Sequence, residues 1–259
     1  MMLKRETTYF LTALMFFTRI PIPLKLDYSD AIMNQSQKYY PLVGIIIGSF
    51  NAVVFWLFQH ILPTDISLIL MMVGSVLLTG AFHEDGFTDV CDSFGGGYGK
   101  EKILTIMKDS RIGAYGVIGI VLLLLLKFAG MKHLAETSVN SFMLILIVAH
   151  SNSRYLSGLM IHTHQYVTDI DLSKSKPIAN KALPANTLLI GLFFALVPFV
   201  FLQNPVYLLV LPFAYTGKLY LGWYFKKHIG GYTGDCLGTV QQITEVLIYI
   251  GFIIIWKFM

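Results

Sequence analysis

Apolar residues along the chain gather into seven long runs, at 40–62, 66–82, 114–131, 139–161, 186–203, 206–225 and 243–258. Each approaches the roughly 17 to 25 residues a helix needs to cross a hydrocarbon layer of about 30 Å. The pattern predicts an all-α fold, a polytopic bundle of about seven transmembrane helices. An eighth apolar stretch, 9–20, has Lys4 and Arg5 before it and Arg19, Lys25 and Lys38 around or after it. Basic residues on both sides predict a segment lying along the cytoplasmic interface.

Composition strengthens this picture. Of 259 residues, 55% are hydrophobic and 13% charged, where a soluble domain carries roughly a quarter charged. The polar segments are too short to fold as separate soluble units. One membrane-embedded domain over 1–259 is expected, with 1–39 as its N-terminal interfacial segment. Arg19, Pro21 and Pro23 follow the first apolar stretch where a removable signal would place small residues, so no cleavage is expected.

The net charge of +4 is spread over short loops with no run of five basic residues, which argues against nucleic-acid binding. Its distribution predicts orientation instead. Lys100, Lys102, Lys108 and Arg111 fall in the segment 83–113, Lys174, Lys176 and Lys181 in 162–185, and Lys226 and Lys227 in 226–242. The intervening loops around Pro63 and Pro205 have no basic residue, and the one near Lys132 has one. By the positive-inside rule all three long polar segments face the cytoplasm. Cys91 and Cys236 each adjoin an acidic residue on that side, where thiols stay reduced, and are expected to be packing residues without a disulfide.

Chemistry concentrates in "FHEDGFTDVCDSFGGGYGK", 82–100. On a helix, Asp85, Asp89 and Asp92 fall at about 0°, 40° and 340°, one narrow face. Carboxylates crowded near lipid are costly unless compensated, and oxygen-only donors suit Mg²⁺ or Mn²⁺ better than zinc. Glu84 lies about 100° from Asp85 and points elsewhere. His83 lacks the second histidine of a zinc-protease motif and reads as a hydrogen-bonding interfacial residue. Gly95, Gly96 and Gly97 resemble a phosphate loop, but Phe94 and Glu101 break the Walker pattern. They still permit close backbone approach to a ligand, or simply a turn that ends a helix.

Three further segments carry candidates. "MKDSRIGAYG" supplies Asp109, Ser110 and Arg111; "HSNSRYLSG" holds Arg154 inside an apolar run; "GGYTGDCLG" supplies Gly234 and Asp235, with Glu245 just inside the last span. Arginine forms bidentate bonds to phosphate, so Arg111 and Arg154 are candidates for a diphosphate group. Intramembrane ionisable groups such as Glu245 are site candidates by default.

Taken together, "FFTRIPIP", "YPLVGIIIG", "HEDGFTDVCDSFGGG", "MKDSRIGAYG", the pair at 153–154 and "GGYTGDCLG" followed by Glu245 resemble the bacterial cobalamin (5′-phosphate) synthases, the adenosylcobinamide-GDP ribazoletransferases. Ser93 and Thr88 depart from that family's usual Gly and Ala, and neither change removes a carboxylate. The resemblance implies an enzyme of the bacterial cytoplasmic membrane with its active site facing the cytoplasm. It would join adenosylcobinamide-GDP to α-ribazole or its 5′-phosphate and release GMP. Mg²⁺ is the implied cofactor, with Mn²⁺ as the substitute. Asp85, Asp89 and Asp92 are then metal ligands, Asp109 and Asp235 additional ones, and Asp109, Asp235 or Glu245 the general base. Arg111 and Arg154, with Ser110, Gly95, Gly96, Gly97 and Gly234, would hold substrate. A distant similarity to CDP-alcohol phosphotransferases covers the acidic motif alone. The rival reading from another class is a membrane cation transporter that uses the acids as an ion site. A homo-oligomer and a single chain both remain open.

Overall fold

The computed structural model describes residues 2–27, 29–167 and 185–259. Its helices are α1 (Met2–Phe17), α2 (Asp30–Ser36), α3 (Tyr40–Gln59), α4 (Thr64–Thr79), α5 (Phe82–Gly96), α6 (Lys100–Met107), α7 (Ala114–Thr137), α8 (Val139–Thr163), α9 (Ala185–Val200), α10 (Val210–Ile229) and α11 (Gly234–Phe258). Short 3-10 turns at Gln37–Tyr39 and Pro205–Leu209 precede α3 and α10. Every apolar run becomes a helix, and the described residues are all-α apart from one isolated parallel bridge, Tyr166 to Tyr232.

Three helical stretches are long and apolar enough to cross a membrane: the continuous Asp30–Gln59, α7 and α11. A fourth counts if α4 and α5, which meet at 91°, form one broken span. The chain is thus a multi-pass membrane protein in character. α8 and α10 fall outside this group although long enough, because polar side chains such as Arg154 and Lys218 interrupt them; α9 is apolar but shorter. Large apolar side chains stand outward along α7, where Val117, Ile118, Leu122 and Leu125 are all exposed, as a lipid-facing surface requires.

The 91° corner has a local cause. α4 ends on Gly80 in the left-handed conformation (φ 68°), and Ala81 follows at φ 57°. Left-handed backbone cannot continue a right-handed helix, and it is unfavourable for alanine. The Arg19 guanidinium fills the space a Gly80 side chain would need, while the Arg19 amide donates to the Leu78 carbonyl at 2.7 Å. The "FTRIP" segment therefore braces the corner that turns the acidic sequence away from α4.

Glycine decides two helix crossings. Gly44 and Gly48, one turn apart on α3, lie so close to α8 that a Cβ on either would collide with the backbone of His150 or Ile147. On α5 a Gly86 Cβ would stand 3.0 Å from the Asp235 Cα, so α5 packs directly against the start of α11. That start is fixed by Thr233, which caps α11 at the Cys236 amide, and by Tyr232, whose amide donates to the Gln165 carbonyl at 3.0 Å. The segment after α8 and the segment before α11 are thereby tied together.

Two buried apolar clusters flank these crossings. Phe55, Phe142, Leu134, Ile145, Tyr249 and Phe252 belong to one, and Phe17, Tyr40, Ile47, Met160, Phe225 and Tyr232 to the other. α1 contributes Ala13, Leu14 and Phe17 to the second cluster, so one face of the N-terminal helix is docked on the bundle. Cys91 and Cys236 are both free thiols, as expected, and Cys236 is buried.

Candidate functional site

The segment read as a polar loop at 83–113 is two helices, α5 and α6, joined by the glycine run. Gly97 ends α5 and donates to the Ser93 carbonyl, and Gly99 begins the turn into α6 at φ 81°. Asp85 is exposed on α5 and Asp89 half-buried. Asp89 lies within electrostatic reach of Asp235, Asp85 and Asp92, and Asp235 within reach of Asp85. The helix face inferred from spacing is real, and Gly86 brings the α11 carboxylate onto it.

Asp92 has a second occupation. Its carboxylate accepts from the amides of Gly113 and Gly116, each at 2.7 Å. These amides belong to the first turn of α7, where no intrahelical acceptor exists. Asp92 thus caps α7 from a neighbouring helix, with the charge placed favourably against the helix dipole. Among the described residues no three His, Cys, Asp or Glu side chains are placed to hold a metal ion together.

Asp109 and Arg111 form their own unit on the α6–α7 connection. Arg111 donates through Nε and Nη2 to both Asp109 oxygens, at 2.6 to 3.1 Å, and its backbone amide also points at Oδ1. The Arg111 side chain is 87% exposed, as a group that meets a soluble ligand should be. Ser110, Gly95, Gly96 and Gly234 are also exposed, while Gly97 is half-buried. Gly95 lies against the Tyr115 ring, which packs the glycine turn onto α7.

Glu245 and Arg154 lie deeper. Glu245 is 1% exposed and pairs with Lys127 at 2.8 Å. Its oxygens also accept from Gln241 Nε2 at 2.7 Å and from the Tyr249 hydroxyl at 3.1 Å. Arg154, 2% exposed, donates to the His150 carbonyl at 3.0 Å, and the His150 ring stands 3.6 Å from Glu245. The two arginines offered for one diphosphate therefore occupy different surroundings, one on the surface and one inside the bundle.

Sequence reasoning missed three members of this interior and set a fourth aside. Lys127, set within "LLLLLKFAG", is the lone charge of an apolar run, a signal that could have found it. His150 sits mid-helix with Asn51 2.8 Å from its Nε2. Gln242 takes the Lys127 ammonium on its oxygen at 3.2 Å and donates its amide to Glu84 at 2.9 Å. Glu84, set aside because it points away from Asp85, points at α11. His83 is buried with its ring stacked on Phe17, centroids 5.4 Å apart. Lys174, Lys176 and Lys181 lie outside the described residues.

The arrangement has two levels: a carboxylate rim shared by α5 and α11 beside an exposed arginine and a glycine turn, and beneath it a buried ionic network. Acidic oxygens next to flexible backbone and arginine are what a phosphate-bearing substrate with a divalent ion requires.

A model of the cobalamin-5-phosphate synthase family matches residues 9–253. The chain is 42% identical over 254 residues to an adenosylcobinamide-GDP ribazoletransferase of Shewanella amazonensis, covering 98% of each. It is 43% identical to the protein of the same name from Vibrio parahaemolyticus, over 98% of this chain and 95% of that one. A Leptospira interrogans relative, also so named, is 42% identical over 98% of both chains. No solved structure matches.

Proposed function

The chain belongs to the cobalamin-5-phosphate synthase family, and on that premise we propose how its rim of carboxylates performs the reaction. It is an adenosylcobinamide-GDP ribazoletransferase, acting at the cobalamin synthase step. The substrates are adenosylcobinamide-GDP and α-ribazole or its 5′-phosphate; the products are adenosylcobalamin or its 5′-phosphate, and GMP. α3, α4 and α7 to α11 form seven spans of a single domain in the bacterial cytoplasmic membrane, and the rim faces the cytoplasm. The observation that carries the reading is the packing of Asp235 onto the Asp85 and Asp89 face of α5 through Gly86.

A ribose hydroxyl of the acceptor attacks the phosphorus linked to cobinamide. A new phosphorus–oxygen bond forms, the bond to the bridging oxygen breaks, and GMP leaves with that oxygen. The hydroxyl proton passes to a carboxylate, Asp235 on the rim or Asp109 on the α6–α7 connection. Arg111, oriented by Asp109, balances charge on the diphosphate, and Ser110, the turn at Gly95, Gly96 and Gly97, and Gly234 lie against it. Arg154 serves the buried network around His150 and Glu245.

The rim fits Mg²⁺ in donor chemistry, since Asp85, Asp89 and Asp235 offer only carboxylate oxygens. Mg²⁺ commonly takes one or two carboxylates and completes its shell with water and substrate phosphate oxygens, so a site without three converging protein ligands suits it. When bound, such an ion would neutralise charge developing on the transferred phosphoryl group. The acidic motif is then similar in kind to that of CDP-alcohol phosphotransferases.

The test is GMP release by the purified full chain in lipid, supplied with adenosylcobinamide-GDP, α-ribazole and Mg²⁺. Wild-type protein releases GMP; Asp89→Asn retains its fold and releases none. Wild-type protein that makes no GMP from verified substrates would return the transporter reading.

A further inference from the structure

Glu84 adjoins Asp85 in the first turn of α5, three residues past Ala81 of the 91° corner, yet its carboxylate points to Gln242 on α11. Oε1 accepts from Gln242 Nε2 at 2.9 Å, and the Gln242 oxygen is in turn held by the Lys127 ammonium at 3.2 Å. Lys127 is anchored by Glu245 at 2.8 Å. Four side chains from three helices thus make one chain of contacts, running from the interior to the beginning of the acidic helix. Gln242 and Glu245 are almost wholly buried, so their positions are set by packing.

A helix that starts at a left-handed corner can roll about its own axis unless something fixes it. Asp92 pins the far end of α5 to the amides of Gly113 and Gly116. At the near end Glu84 is the side chain of α5 that α11 holds, beside a longer bond from the Thr239 hydroxyl to the Gly86 carbonyl at 3.4 Å. A roll of some tens of degrees would carry the Asp85 and Asp89 carboxylates several ångströms around the helix, away from Asp235. We infer that Glu84 and Gln242 are positioning residues that set the rotation of α5 and so hold Asp85 and Asp89 against Asp235. The inference rests on the reading that this carboxylate face takes a divalent cation through one or two of its members, with water and substrate completing the shell. Among the described residues the buried Glu84 Oε2 atom meets no partner, which makes direct ligation the rival role for Glu84.

Mn²⁺ titration of the purified full chain in lipid nanodiscs, read by the loss of the free-ion electron paramagnetic resonance signal, separates these roles without substrate or turnover. Wild-type protein binds Mn²⁺ and Asp89→Asn loses it. Gln242→Leu and Glu84→Ala, monodisperse and folded, bind about tenfold more weakly or worse, the usual effect of removing a residue that orients a ligand. Glu84→Gln, whose amide oxygen still accepts from Gln242, binds as wild type does. Unchanged affinity in Gln242→Leu overturns the inference and leaves the metal reading standing. So does loss of binding in Glu84→Gln equal to that in Glu84→Ala, which would make Glu84 a ligand. If Gln242→Leu does not fold, Gln242→Asn, too short to reach Glu84, replaces it. Wild-type protein that takes no Mn²⁺, or Asp89→Asn that binds it fully, overturns the metal reading and the inference with it.

Discussion

The Asp92 carboxylate and the Gly116 amide meet at 2.7 Å, with Gly113 held equally close by the other oxygen. The residue is therefore committed to joining α5 to α7, whatever it contributes beside Asp85 and Asp89. Asp92→Ala should cost about 2 kcal/mol, the range for hydrogen bonds to a charged group. Asp92→Asn, which keeps one acceptor, should cost less. Thermal unfolding in detergent checks the order; an alanine variant as stable as wild type would refute it.

Lys127 and Glu245 should behave as one unit. Lys127→Met leaves a carboxylate buried without its cation and should destabilise by about 3 kcal/mol or more. The double replacement with Glu245→Leu removes both charges and should be less damaging than the sum of its parts. A double-mutant cycle on unfolding free energy measures the coupling, and simple additivity would show that the 2.8 Å pair carries none.

Gly86 should be sensitive out of proportion to its size. A methyl group there meets the Asp235 Cα at 3.0 Å, so Gly86→Ala should push α5 and α11 apart by a few tenths of an ångström. Loss of GMP release is expected to exceed the loss of stability, because the displaced element carries Asp235. Unaltered turnover would show that the rim tolerates the shift.

The N-terminal helix gives a pH dependence. Burial pushes the Glu6 carboxyl up, but hydrogen bonds from Lys38 and Tyr39, together with the Lys38 charge 2.6 Å away, outweigh it and hold the group below its ordinary 4.5. A depressed carboxylate contributes stability above its unfolded value and loses it as pH falls through the lower folded one. Docking of α1 should therefore weaken below about pH 4.5, and Glu6→Gln should lack that acid-sensitive component. Limited proteolysis at the N-terminus across this range measures it.

Much of the architecture was legible because membrane insertion writes itself into runs of apolar residues. All seven runs became helices, and the Asp85 and Asp89 face followed from a 100° step alone. The corner at Gly80 and Ala81 was not legible, since nothing local announces that alanine will adopt a left-handed backbone braced by Arg19. Nor was the task of Glu84. Its direction followed from helical geometry, but its partner Gln242 lies 158 positions away and could be found only once α11 was packed. Asp92 shows the converse: spacing grouped it with its neighbours, and the approach of α7 gave it separate work.

Gly44 and Gly48 give the α3–α8 crossing a further meaning. Two hydrogen atoms decide how near α3 comes to the His150 carbonyl, which Arg154 also holds. The outward side of α3, with Val53, Trp56 and Leu57 exposed, should accept one greasy residue for another, while Gly44 and Gly48 should reject even alanine. A saturating substitution scan would thus read α3 as a helix with one permissive flank and one narrow, intolerant stripe, its strictness inherited from the backbone of His150 and Ile147 on a different helix.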